Sequence, residues 1–216
     1  MIDTVPVTIE HLDVSLEAFL AVPDQPRGLI IFAHGSGSGR HSPRNSHVAA
    51  GLNHAGFATL LIDLLTLAEE ADRSNVFDIE LLASRLKIAV EWAANQAELR
   101  ALPVGLFGAS TGAGAALLAA AQMPEAIKAV VSRGGRPDLA GHALVEVAAP
   151  TLLLVGGNDG PVIDLNRDAA DRLNCSKALV IIPNAGHLFE EEGALDMVLD
   201  DAVRWFAAYL EKDPAA

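Results

Sequence analysis

The chain has 216 residues, 51% of them hydrophobic, and a net charge of −13 at pH 7, so we expect one well-buried domain over residues 1–216. The strong negative charge argues against nucleic acid or an anionic membrane surface as partner, and no apolar run reaches the length that spans a bilayer. The single cysteine, Cys175, excludes an internal disulfide, and Met1-Ile2-Asp3-Thr4 lacks a signal-peptide pattern, so a cytoplasmic protein is expected.

Short apolar runs alternate with helical patterns along the chain. Two strands come first, Val5–Ile9 and Leu12–Val22, and are expected to lie antiparallel at a sheet edge. Continuous apolar runs predict buried strands at Gly28–Ala33, Ala58–Ile62, Val104–Phe107, Ala129–Val131, Thr151–Val155 and Ala178–Ile182. Helical spacing predicts helices over residues 44–55, 79–93, 111–121, 162–173 and 195–210, and residues 64–75 are expected to form a loop. This order predicts an α/β fold with a mostly parallel sheet of about eight strands and helices on both faces.

The turn after Phe107 reads Gly108-Ala109-Ser110-Thr111-Gly112, a G-x-S-x-G pattern between a strand and a helix. Such a turn holds its serine in a cramped backbone conformation with the hydroxyl projecting outward. A Cβ at either glycine would collide with the neighbouring strand or helix. The N-terminus of the following helix favours the negative oxygen that forms when a hydroxyl attacks a carbonyl. The short pattern also arises by chance, so partners for Ser110 are needed elsewhere in the chain.

Two later turns supply those partners at strand ends. Gly156-Gly157-Asn158-Asp159 follows one strand, and Pro183-Asn184-Ala185-Gly186-His187 follows another. A serine hydroxyl needs a base to take its proton, and a neutral histidine needs a carboxylate to hold its tautomer. Serine, acid and histidine also occur in the chain order expected for a G-x-S-x-G nucleophile. The sequence therefore predicts a catalytic triad of Ser110, Asp159 and His187.

From about Val5 to Leu210 the chain resembles the α/β-hydrolase family, and more closely its dienelactone-hydrolase-like branch. The resemblance is carried by His34-Gly35, Gly108–Gly112, Gly156–Asp159 and Gly186-His187. It implies Ser110 as nucleophile, Asp159 as acid and His187 as base, with an oxyanion hole built from the backbone N–H groups of Ser36 and Thr111. The enzymes that name the branch use a cysteine where this chain has Ser110, and Cys175 is in the wrong place to substitute. The resemblance therefore implies carboxylic esters or lactones rather than a dienelactone in particular.

The predicted activity is hydrolysis of small soluble esters or lactones through an acyl-enzyme on Ser110, with no metal or organic cofactor. Two alternatives stay open. The same triad would serve acyl transfer or perhydrolysis if another acceptor competes with water. A silent hydrolase fold would instead serve as a binding or regulatory domain, because a fold does not fix a function.

Arg133 directly follows a predicted central strand and precedes two glycines. Only a short segment separates it from the strand that begins at Thr151, so no lid domain fits there. Arg133 is expected either to bind a substrate carboxylate or to pair with an acid, Asp138 or one in residues 64–75.

Other polar residues near the expected site are expected to have structural rather than catalytic roles. His34 is expected to fix the oxyanion loop, and Asp63 to cap the following turn rather than serve as a second acid. Arg40 and Arg44 are expected to form surface ion pairs. The spacings of His41, His47 and His54 match no metal site.

Overall fold

The computed structural model describes residues 2–210, so Met1 and residues 211–216 of the expected domain lie outside the described part. Eight strands form one sheet: β1 (Thr4–His11), β2 (Val14–Ala21), β3 (Leu29–Ala33), β4 (Ala58–Ile62), β5 (Val104–Ala109), β6 (Ile127–Arg133), β7 (Thr151–Gly156) and β8 (Lys177–Ile182). Their spatial order is β1-β2-β4-β3-β5-β6-β7-β8. β2 pairs antiparallel with both β1 and β4, and every other pairing is parallel. The sheet is therefore mostly parallel with an antiparallel edge, as the sequence predicted.

Helices cover both faces of this sheet. They are α1 (Pro43–His54), α2 (Leu67–Glu70), α3 (Ile79–Ala94), α4 (Thr111–Gln122), α5 (Gly160–Arg172) and α6 (Ala194–Tyr209), with 3₁₀ segments at Asn75–Phe77 and Pro137–Glu146. Because side chains alternate across a strand, Ile30 and Phe32 of β3 pack against α1 and α6, while Leu29 and Ile31 pack against α3 and α4. Two buried layers result, one on each side of the sheet.

Several element boundaries differ from the sequence prediction. β2 begins at Val14 because Leu12 lies in the hairpin turn, with φ +49° and 92% of its surface exposed. β6 runs from Ile127 to Arg133, longer than the predicted apolar run, because its pairing with β5 continues to the Ala109–Arg133 register.

The prediction of a loop over residues 64–75 was wrong in part. α2 forms there because Thr66 and Glu69 make a reciprocal capping box, in which each side chain accepts the backbone N–H of the other residue. The signature of this box, Thr-x-x-Glu, stands in the sequence.

The segment between β6 and β7 forms no separate lid domain. Its 3₁₀ portion packs against α4 and α5. The buried Asn166 of α5 also donates to the carbonyl of Gly135, which holds the start of the segment to the body of the fold. The carboxyl ends of β3, β5, β6, β7 and β8 meet at one edge, because parallel strands end on the same side of a sheet.

Candidate active site

Ser110 stands between β5 and α4 in a strained conformation, with φ +50° and ψ −122°. A non-glycine residue adopts such a backbone only where its surroundings impose it. The flanking glycines supply that constraint. A Cβ on Gly108 would lie 2.5 Å from Cα of Ala113, and one on Gly112 would lie 2.2 Å from the carbonyl oxygen of Ala33. The turn is thus clamped between α4 and β3, with the Ser110 side chain left partly exposed.

His187 and Asp159 are brought together from the ends of β8 and β7. Nδ1 of His187 lies 2.7 Å from Oδ2 of Asp159. Asp159 is the N-cap residue of α5, yet its carboxylate makes no capping hydrogen bond and is free to face the imidazole. A proton on Nδ1 that is donated to this carboxylate leaves Nε2 as the acceptor nitrogen. The arrangement gives His187 the tautomer that a general base requires.

The end of β6 links the Ser110 turn to the His187 turn. The N–H of Ser110 donates to the carbonyl of Arg133 at 3.3 Å. The next residue, Gly134, has φ +50°, and a Cβ there would lie 3.6 Å from Nδ1 of His187. Within residues 2–210 no hydrogen bond joins the Ser110 hydroxyl to His187. Such contacts are often long in free enzymes and tighten when substrate binds.

The loop after β3 lies over the Ser110 turn and is held by His34. Nε2 of His34 accepts the N–H of Leu64 at 3.0 Å, so Nδ1 carries the proton and donates to the carbonyl of Gly35 at 3.0 Å. A Cβ on Gly35 would lie 3.0 Å from Cβ of Ser110. His34 therefore has the structural role that was predicted for it.

Ser36 and Thr111, the two residues of the predicted oxyanion hole, are in direct contact. The N–H of Ser36 donates to Oγ1 of Thr111 at 3.1 Å. The Thr111 side chain is buried, with 3% of the residue exposed. One of the two predicted backbone donors is therefore already bound to a side chain of the other residue.

Asp63 does not cap the turn that follows it, so that prediction was wrong. Its carboxylate accepts the backbone N–H of Arg40 and forms an ion pair with the Arg40 guanidinium. It thereby anchors the far end of the loop that follows β3. The expected ion pair of Arg44 is also present, with Glu190 at 3.0 Å.

A cavity of about 880 Å³ opens beside Ser36 and Thr111. Its apolar lining comes from Leu65, Leu67, Val76 and Leu82, and its charged lining from Arg40, Arg44, Asp63, Glu70 and Arg73. A space of this volume accommodates a small organic molecule.

Within residues 2–210 Arg133 forms no ion pair with an acid, contrary to one of the two sequence interpretations. It is buried, with 8% exposed, and does not line the cavity. Nη2 donates to Oδ1 of Asn45 at 3.3 Å, and the guanidinium lies 5.9 Å from the centroid of the Phe189 ring. Nε and Nη1 have no hydrogen-bond partner within the described part of the chain. Burial, and secondarily the positive charge of Arg44, lowers the pKa of Arg133 to about 10.

The expected pairing of Arg133 with Asp138 was wrong, because Arg136 binds Asp138 through two hydrogen bonds of 2.8 Å. Sequence reasoning also missed Phe189, which is buried two residues after His187 with φ +55°. No sequence pattern marks a phenylalanine for that conformation.

Between residues 2 and 210, no group of three or more His, Cys, Asp or Glu side chains is arranged to hold a metal ion. His47 lies 2.8 Å from Asp196, and His41 packs edge-on against the Phe19 ring. The described helices include none that is long and apolar enough to cross a membrane.

The sheet, its helices and the strained serine turn define the class of α/β hydrolases. Comparison with known families agrees: the family described as serine aminopeptidase, S33, matches residues 24–136, just over half of the chain. The crystal structure of a dienelactone hydrolase from Anabaena variabilis is 55% identical, with a TM-score of 0.95 over 97% of this chain and 99% of that one. The chain belongs to the α/β-hydrolase family, in its dienelactone-hydrolase-like branch.

Two further comparisons show the shared fold and a different name. Est1E from Butyrivibrio proteoclasticus superposes with a TM-score of 0.79 at 18% identity, over 94% of this chain and 97% of that one, which shows the shared fold. Two Mycobacterium tuberculosis proteins, provisionally named phosphoribosyl transferases, are 57% identical over 197 residues, or 91% of this chain. The chain spans only 44% of the length of these relatives.

Proposed function

We propose that this chain is a serine hydrolase that cleaves small carboxylic esters or lactones through an acyl-enzyme on Ser110. The observation that carries the proposal is the 2.7 Å hydrogen bond between His187 and Asp159, found at the same sheet edge as the strained Ser110 turn. A carboxylate-oriented imidazole at the same sheet edge as a partly exposed serine hydroxyl is the arrangement that activates a serine for attack on a carbonyl.

In the proposed reaction, Oγ of Ser110 attacks the carbonyl carbon while Nε2 of His187 takes the hydroxyl proton. The carbonyl oxygen becomes negative, and the proposed oxyanion hole at Ser36 and Thr111 stabilises it. Asp159 stabilises the imidazolium. The tetrahedral intermediate then expels the alcohol, which takes the proton from His187, and the acyl-enzyme remains.

Water completes the cycle by the same route. His187 takes a proton from water as its oxygen attacks the acyl carbon, and the proton passes to Oγ of Ser110 when the acid leaves. Each step uses only protein groups, substrate and water, so the proposal includes no metal or organic cofactor. A lactone is a cyclic ester, and the same steps would open its ring.

The substrate class is supported by likeness and by the cavity. The Anabaena variabilis protein of 55% identity is named a dienelactone hydrolase, and lactone hydrolysis needs no chemistry beyond that proposed here. The cavity beside Ser36 has both apolar and charged walls, which suits a small soluble ester. The transferase name of the mycobacterial relatives is not carried over, because more than half of their length lies outside the match.

The carboxylate-binding role predicted for Arg133 is not carried into the proposal. Its guanidinium is buried and contacts Asn45 and the Phe189 ring. We also propose that the chain acts as one domain in the cytoplasm, where its free Cys175 suits a reducing environment.

A panel of esters and lactones of varied acyl length and charge tests the proposal. The wild-type chain and the exposed-serine control Ser176→Ala are expected to hydrolyse members of the panel at equal rates, and Ser110→Ala is expected to lose that activity. Added alcohol or peroxide shows whether another acceptor competes with water, which separates acyl transfer and perhydrolysis from hydrolysis. A wild-type chain without hydrolysis or transfer of any ester would support a silent binding domain instead.

A further inference from the structure

The hydroxyl of Thr111 occupies an unusual place in the proposed site. Its Oγ1 accepts the N–H of Ser36 at 3.1 Å across 75 positions of sequence. Thr111 is 3% exposed, and both residues line the 880 Å³ cavity. The side chain therefore engages the Ser36 N–H, one of the two backbone donors expected to bind the oxyanion.

The proton of this hydroxyl makes no hydrogen bond within the described part of the chain. A threonine hydroxyl carries one proton and two acceptor lone pairs. The Ser36 N–H takes one lone pair, and among residues 2–210 the Thr111 hydroxyl donates to no protein acceptor. A buried hydroxyl with an unused proton at a cavity wall is a donor available to a ligand.

The position of this donor relative to the nucleophile is also fixed. Thr111 directly follows Ser110, and a Cβ on Gly35 would lie 3.0 Å from Cβ of Ser110. Both backbones that flank the Ser36–Thr111 hydrogen bond thus adjoin the nucleophile. Because Oγ1 of Thr111 accepts a hydrogen bond from the Ser36 N–H, the hydroxyl is polarised and becomes a stronger donor.

We propose that the Thr111 hydroxyl donates a hydrogen bond to the oxyanion of the tetrahedral intermediate, together with the backbone N–H of Thr111. The negative charge arises as the Ser110 Oγ–carbon bond forms and the carbonyl π electrons move to oxygen. In this arrangement the Ser36 N–H acts through the hydroxyl that it orients. The inference rests on the proposed function, since it names a further catalytic group for the same reaction.

Substitution of Thr111 by valine tests the inference, because valine keeps the shape and removes the hydroxyl. Thr111→Val is expected to lower kcat by about 10²–10³-fold on neutral esters, with KM changed little, as for the loss of one oxyanion donor. Thr111→Ser keeps the hydroxyl and is expected to retain most of the activity. The matched control is Thr151→Val at the start of β7, which removes a buried hydroxyl that donates to the carbonyl of Ala149, and its kcat is expected to match wild type.

The opposite result has a clear meaning. If the hydroxyl only blocks the Ser36 N–H, Thr111→Val would match or exceed the wild-type kcat, and the inference would be overturned. A rise in KM alone would also overturn it, because that outcome assigns the hydroxyl to ground-state binding. Thermal unfolding of each variant shows whether it is folded, and Thr111→Ser provides the comparison if the valine variant is not. The inference also fails if Thr111→Ser folds but its kcat falls as far as that of Thr111→Val. If Thr111→Val does not fold, a fall of about 10²–10³-fold in the kcat of Thr111→Ser has the same meaning.

The controls distinguish this failure from that of the proposed function. If wild type is active and Thr111→Val is equally active, the serine hydrolase proposal stands and only the catalytic role of the Thr111 hydroxyl is rejected. A wild type that neither hydrolyses esters nor reacts with a fluorophosphonate overturns both.

Discussion

Nδ1 of His187 lies 2.7 Å from Oδ2 of Asp159, although 28 positions separate the two residues in the chain. The carboxylate side chain is 13% exposed and the imidazole 39% exposed, so the carboxylate is more shielded from solvent than the imidazole. In this position the Asp159 carboxylate accepts the Nδ1 proton and holds one imidazole tautomer.

Asp159→Asn is expected to keep the fold and to lower kcat by about 10⁴-fold, the loss found for the corresponding change in the Ser-His-Asp template. An amide at this position would favour the wrong histidine tautomer. Steady-state kinetics on the best ester of the panel measure the effect. Asp164→Asn, at an exposed ion pair on α5, is the matched control and should retain full activity. The assignment would be wrong if Asp63→Asn caused the large loss and Asp159→Asn did not.

Arg133→Gln is expected to change kcat/KM for a neutral ester and for a carboxylate-bearing ester of equal size by the same factor. The reason is that the guanidinium is buried and contacts Asn45 and Phe189. The ratio of the two kcat/KM values should stay within about twofold of wild type, or roughly 0.4 kcal/mol. Arg167→Gln, at an exposed position on α5, is the control. A selective loss on the charged ester would instead make Arg133 a substrate ligand, as one sequence interpretation held.

Gly112→Ala is expected to destabilise the fold by roughly 2–4 kcal/mol, because the new methyl group meets backbone that cannot move aside. Its Cβ would lie 2.2 Å from the carbonyl oxygen of Ala33 in β3. Denaturant unfolding measures the change. Gly160→Ala is the matched control, since no atom lies within 4 Å of its added Cβ, and it should be at least as stable as wild type. Equal stability of the two variants would contradict the packing described for the turn.

Much of the fold could be predicted because buried parallel strands are continuous apolar runs. β3, β4 and β7 are buried along their whole length, and all three were visible in the sequence. The positions of Ser110, Asp159 and His187 followed from the same reasoning, because each lies in the turn that follows a strand. The order of residues along the chain is therefore enough to place them at one sheet edge.

The contacts of individual side chains could not be predicted in the same way. A residue at the end of β6 could point toward the cavity or beneath the His187 turn, and only packing decides that Arg133 lies beside Phe189. The bond between Ser36 and Thr111 depends on how a loop folds over the serine turn. α2 is a different case, since its capping box is a local pattern that the sequence contains and that favours a helix start.

The most direct measurement of the central proposal is covalent labelling of the chain by a fluorophosphonate, followed by intact mass and peptide mapping. The wild-type chain should gain one adduct, on the peptide that contains Ser110, and Ser110→Ala should gain none. Labelling should also be strongly slowed in Asp159→Asn, because the same base activates the serine. Equal labelling of wild type and Ser110→Ala, or an adduct on another residue, would contradict the assignment of Ser110 as the nucleophile.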